Sequence, residues 1–117
     1  MKKIEYSQIV RKKLNQLKVD LVQDFGAEVS KKSVKKITDA VRGLEKFEKK
    51  GIAVSAMYNI ECDYRYLYVS HNYVFYRIEP EKIIILEMFD EREDFMYKLF
   101  GISTRTQESI DYWGDED

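Results

Sequence analysis

Three arginines, Arg65, Arg77 and Arg92, fall on or just beyond three successive strand-like segments. A guanidinium can grip a phosphate through two parallel hydrogen bonds, so arginines on adjoining strands could cluster on a nucleic-acid backbone. The same residues could instead pair with Glu79, Glu87, Asp90 or Asp94 as surface ion pairs. Lysines come in runs such as Arg11-Lys12-Lys13, Lys31-Lys32, Lys35-Lys36 and Lys49-Lys50. Such runs either neutralise phosphates or form a solvated helix face, and Lys12 and Lys13 stand with Arg77 as candidate substrate contacts. Tyr64, Tyr66 and Tyr68, followed by Tyr73 and Tyr76, have the spacing of a base-stacking platform on a sheet or of ordinary half-buried packing. His71 falls on an expected turn tip, and Cys62 has no histidine near it in sequence. With one Cys and one His there is no zinc-type cluster, so no metal site and no cofactor are expected.

The elements that must hold these side chains can be read from periodicity. Ser7 is a good N-cap, and Val10, Leu14, Leu17, Leu21 and Phe25 follow it at helical spacing until Gly26 supplies a stop. Val34, Ile37, Val41 and Leu44 repeat in the same way, with Ala40 and Phe47 widening the stripe and Gly51 closing it. Two antiparallel helices are therefore expected within about residues 7–25 and 28–49. Beyond Gly51 the period changes to two: Tyr64 to Val69 alternate, Ser70-His71-Asn72 has turn chemistry, and Tyr73 to Ile78 return. Pro80 marks the next turn, and Ile83-Ile84-Ile85-Leu86 does not alternate, as expected of an interior strand covered on both faces. Phe95, Met96, Leu99, Phe100 and Ile102 suggest a last helical turn docking back, while Ala53 to Asn59 reads as loop or short strand. The expected class is α+β: a short N-terminal strand at Ile4-Glu5-Tyr6, a helical hairpin packed on a mostly antiparallel sheet of three to four strands, and a short C-terminal helix.

A chain of 117 residues that is 44% hydrophobic supports one core. No apolar run approaches the roughly 20 residues that cross a bilayer, and the start lacks the apolar stretch of a signal peptide, so no membrane partner and a cytoplasmic location are expected. The net charge of −1 conceals an asymmetry. Residues 1–50 carry 14 Lys/Arg against 7 Asp/Glu, and residues 51–117 carry 6 against 14. That division suits a basic surface for a polyanion, two halves that complement one another, or simply solvated faces. Residues 1–104 read as the folded domain and 105–117 as an acidic tail, in which Gln107 to Asp117 hold five acids, no base and the pair Tyr112-Trp113.

The run Tyr64 to Val69, then Asn72 to Glu79, then Lys82 to Arg92 resembles the RelE/ParE superfamily of bacterial type II toxins. Members carry an arginine early in one strand, a Tyr-Arg pair late in the next and an arginine beyond the last, and Arg65, Tyr76-Arg77 and Arg92 match those places. The order of elements over roughly residues 3–102 is similar as well. The resemblance implies a toxin held inactive by a cognate antitoxin. RelE-like members cut mRNA on the ribosome without a metal, whereas ParE-like members inhibit DNA gyrase. On the first expectation, Arg65 and Arg92 bind phosphate and Tyr97 orients or stacks on the substrate, making the chain a metal-independent endoribonuclease. Gyrase inhibition is the alternative, and a catalytically silent antitoxin-binding relative is the third. The chain departs from RelE-like nucleases in having no lysine between Gly51 and Tyr64, it lacks the late histidine of the YoeB-like branch, and Arg92 is flanked by Asp90, Glu91, Glu93 and Asp94.

Overall fold

Ser7 opens the first helix in the way its hydroxyl allows: Oγ accepts a hydrogen bond from the Val10 amide at 3.2 Å and donates to the Leu86 carbonyl at 3.0 Å. One side chain thereby caps the helix and ties it to a strand far along the chain. The computed structural model describes residues 2–58 and 60–101. Strand β1 (Lys3–Tyr6) leads into α1 (Gln8–Phe25), and Gly26 turns the chain at φ 97° into α2 (Ala27–Arg42). The two helices are pinned by Ser30, fully buried, whose hydroxyl donates to the Lys18 carbonyl at 2.8 Å. The second helix ends earlier than its apolar stripe suggests. Gly43, a poor helix former, begins a 3₁₀ turn over Gly43–Glu45, and Phe47 is left 68% exposed instead of widening the stripe.

The rest of the chain builds the sheet. Strand β2 (Ile52–Ala53) is followed at once by α3 (Val54–Tyr58), then by β3 (Tyr64–Val69), β4 (Asn72–Ile78) and β5 (Lys82–Asp90), and α4 (Phe95–Phe100) closes the described fold. The five strands lie in the order β1-β5-β4-β3-β2, with β1 parallel to β5 and the other pairs antiparallel. This is one strand more than expected, because two residues of β2 are too few to show alternation. Ser70 and His71, at φ 50° and 63°, form the two-residue turn between β3 and β4, in the primed geometry whose twist suits a tight hairpin. In β5 the pairing shifts: Tyr76 faces Ile85 but Phe75 faces Glu87, leaving Leu86 as the extra residue of a bulge.

Both faces of the sheet are covered, and by different means. On one face Val10, Ile37 and Val41 of the helices meet Leu67, Val74, Tyr76, Ile83 and Ile85. On the other an aromatic core of Tyr66, Phe75, Phe89 and Phe95 is closed by Val54 and Met96 from the short helices. The Phe95 ring sits 4.9 Å from Tyr73 and 5.1 Å from Phe75, centroid to centroid, in the tilted arrangement aromatic quadrupoles favour. Strand β5 is interior between β1 and β4 as expected, with Ile83 and Ile85 fully buried toward the helices and Ile84 and Leu86 half-buried. No helix among the described residues is long and apolar enough to cross a membrane. Replacing Ile85 with Ala is expected to cost about 2–5 kcal/mol, read from the urea midpoint at constant slope, because a fully buried side chain leaves a cavity that the two-sided packing cannot close.

Candidate functional site

The residues that sequence reasoning singled out are brought together only in part. Arg65, the second residue of β3, lies on the helix-facing side, paired with Ala53 on one flank and Tyr76 on the other. Its guanidinium donates to the Gly51 carbonyl at 2.8 Å and to the Lys49 carbonyl at 3.3 Å. Arg77 projects from the opposite face of the sheet, since it pairs with Tyr64, and forms a 2.8 Å ion pair with Glu79, which holds its guanidinium more firmly protonated still. Arg92 lies past the end of β5, its Nε 2.9 Å from Asp90 Oδ1 and its side chain 87% exposed. From the rise of a strand, the Ile85 to Asp90 stretch alone puts Arg92 roughly 15 Å farther along the sheet than Arg65. The arginine cluster expected from adjoining strands therefore does not form. Antiparallel connection sends the start of β3 and the end of β5 to opposite ends of the sheet. Tyr97, 63% exposed on α4, stands on the aromatic side, with the sheet between it and the helices.

The two neighbouring lysines have different surroundings. Lys12 is exposed. Lys13 reaches over β5 beyond the last β1 pairing, where its Nζ donates to the Met88 carbonyl at 2.9 Å, pairs with Glu87 at 2.6 Å and sits 4.3 Å from the centre of the Phe89 ring. A cation placed so covers a strand edge that would otherwise present unpaired backbone groups. Lys13 and Arg92 do line one cleft of about 300 Å³ with Asp20 and Glu93, so this pair of predicted cations converges.

Beside it lies a larger cleft of about 700 Å³ between the tip of the helical hairpin and the tip of the β3–β4 hairpin. Its walls carry Asp20, Asp24, Asp90 and Glu91 with His71, Arg92 and the 66%-exposed Phe25. Glu91 is held by two partners: it accepts from the Tyr68 hydroxyl and lies 3.1 Å from His71 Nδ1. Those hydrogen bonds keep its carboxyl below the usual carboxylate range and push the Tyr68 phenol up. Arg92 lowers Asp90 in the same way, by hydrogen bonds to the ionised form. Sequence reasoning missed this group because Glu91 lies 20 residues from His71 and 23 from Tyr68 and meets them only through strand register; the signal available was the turn at His71 and the polar run after Asp90. With Asp20, Asp24, Asp90 and Glu91 set against the single guanidinium of Arg92, the cleft is unfavourable for a polyphosphate backbone.

The remaining conspicuous constellation is a clamp on Gly51. Its amide donates to the Tyr76 hydroxyl at 2.9 Å, that hydroxyl donates to the Glu48 carbonyl at 2.8 Å, and Arg65 takes the Gly51 carbonyl. A β-carbon at Gly51 would lie 2.6 Å from Tyr76 Oη and 2.7 Å from the Tyr66 carbonyl oxygen, so no larger residue fits. Burial raises the Tyr76 phenol above its ordinary value.

Topology, the two-sided sheet and the helical hairpin together define a toxin fold of the RelE/ParE superfamily. The chain matches the ParE toxin of type II toxin-antitoxin system, parDE, over residues 4–95, and it belongs to that family. Its fold is similar to that in a solved structure of the chromosomal ParDE TA system from P. aeruginosa, with a TM-score of 0.64 and 19% identity over 77% of this chain and 96% of that chain. No curated protein is significantly similar in sequence. Membership in the family implies a cognate antitoxin as partner.

Two stability measurements separate the clamp from the exposed arginine. Arg65→Ala is expected to cost about 1–3 kcal/mol, since it leaves the Gly51 carbonyl short of a partner, while Arg92→Ala leaves the urea midpoint where it is in the parent. Tyr76→Phe is expected to cost about 1–3 kcal/mol at neutral pH by orphaning the buried Gly51 amide. A raised phenol in the folded state contributes stability that is complete below about pH 10 and is lost as pH rises through the shifted value, so the parent should lose stability on that alkaline limb and Tyr76→Phe should lose less.

Proposed function

We propose that this toxin acts by binding a protein target, DNA gyrase, in the manner that resemblance to ParE-like members implies, and that it does not cut RNA. The observation that carries the reading is the separation of Arg65, Arg92 and Tyr97. In-line attack by a 2′-hydroxyl needs a phosphate-binding cation and an orienting group within a few ångströms of one phosphorus. Here the first arginine is committed to backbone carbonyls at one end of the sheet, the second lies among carboxylates at the other, and the tyrosine is on the far face. The lack of lysines between Gly51 and Tyr64 supports the same reading, as does belonging to the ParE family rather than to a RelE-like one. The distal cleft, with its hydrogen-bonding rim and exposed Phe25, has the mixed apolar and polar character of a protein-binding surface.

The purified chain added to gyrase and relaxed plasmid is expected to suppress supercoiling in proportion to toxin and to be relieved by the antitoxin. Mapping of mRNA ends in cells expressing it should show no new codon-linked cuts. Ribosome-dependent cuts that vanish in a folded Arg92→Ala or Tyr97→Phe variant, with supercoiling untouched, would restore the nuclease reading.

A further inference from the structure

The outer surface of α2 carries a trough with no part in the clefts described above. Two contiguous hollows, of about 340 and 510 Å³, share Lys35, Asp39 and Arg42. Lys18 and Lys31 line the first and Lys46 the second, so five cations face two carboxylates, Asp39 and Glu45. Asp39 is already occupied, 2.8 Å from Lys35 Nζ and 3.8 Å from Arg42 Nη1, yet both cations keep about 70% of their side-chain surface in solvent (69% and 73%). The exposed Phe47 ring ends the trough. A surplus of positive charge running to an exposed aromatic is complementary to an acidic segment that carries aromatics of its own.

The same chain supplies such a segment. Residues 107–117 hold Glu108, Asp111, Asp115, Glu116 and Asp117 without a base, and Tyr112-Trp113 among them; they lie outside the described residues. Phe100, in the last turn of α4, packs on Tyr64 with centroids 5.9 Å apart, and the next residue, Arg65, is bonded to the Lys49 and Gly51 carbonyls. The described chain thus ends at the same end of the sheet as the Lys49–Gly51 stretch but on the face opposite the helices, so the tail must pass round that end of the sheet to reach Lys46 and Phe47. Trp113 follows Gly101 by twelve residues, a reach of up to about 40 Å.

We propose that the acidic tail docks along this trough, with its carboxylates on Lys18, Lys31, Lys35, Arg42 and Lys46 and the Tyr112-Trp113 pair against Phe47. Each exposed charge pair is weak, but tethering gives the tail an effective concentration on the order of millimolar. The tail then shields the basic helix face from other anionic ligands without taking part in the target-binding cleft.

Trp113 is the only tryptophan, so its emission in the full-length chain reads the dock directly. At low salt the emission is expected to be blue-shifted from that of a hydrated indole and protected from a neutral quencher. Raising salt to about 1 M, where the screening length falls to about 3 Å, should abolish both effects. The double variant Lys35→Glu/Arg42→Glu should abolish them at low salt, and so should replacing the five acids with their amides, a change that leaves the folded body untouched. A hydrated spectrum at low salt would overturn the dock. A blue-shifted spectrum that survives both sets of substitutions would place Trp113 elsewhere and overturn the trough as its seat. A shift that grows with protein concentration would assign the tail to the trough of a second copy and overturn the intramolecular dock.

Discussion

The accommodation of Gly51 constrains much of the molecule. At this residue the chain leaves the helical layer and enters the sheet, and its two backbone groups would be stranded in the interior without help. Tyr76 satisfies the amide and Arg65 the carbonyl, while the missing side chain lets the Tyr66 backbone pass within contact distance. Burying an unpartnered peptide group costs several times what an exposed hydrogen bond contributes, so all three residues are held to their identities by one turn. Because Tyr76 is central to β4 and fully buried, the clamp also fixes how the 3₁₀ turn and the loop after it sit on the sheet.

That constraint bears on function by withdrawing residues from it. Arg65 and the Tyr76-Arg77 pair have the residue types and positions that a phosphate-handling site would use, yet two of the three support the backbone and the third is paired with Glu79. With both sheet faces packed, what is left to meet a partner is the periphery: the hairpin tips with Phe25, His71 and Glu91, the basic outer helix face, and the short edge at β2. A protein that recognises another protein needs such a periphery more than it needs an enclosed pocket, and the two described clefts are open and polar in keeping with that.

Much of this was legible in the residues, and the failures have physical causes. Ser7, Gly26 and the stripe of Val10, Leu14 and Leu17 mark the first helix because capping and amphipathicity are local. The alternation of Tyr64 to Val69 and the turn at Ser70-His71 give the hairpin for the same reason. The second helix is shorter than its stripe implies, since an apolar stripe can continue through a 3₁₀ turn, and Phe47 on that stripe is exposed to solvent. The arginines do not converge because adjacency of strands says nothing about which end of the sheet a residue occupies. The partners of Arg65 are backbone carbonyls, which carry no residue-type signal, so its structural role was invisible until the fold placed Gly51 beside it.

The most direct test is native-state hydrogen exchange at the Gly51 amide. If the clamp organises the junction of helices and sheet, this amide exchanges only through global unfolding, as slowly as the core amides of Ile83 and Ile85, and in Arg65→Lys it exchanges faster together with Ile52 and Ala53. Exchange at the rate of an exposed loop amide, unaffected by substitution at Arg65, would mean that the junction is loose and that Arg65 is free to bind phosphate.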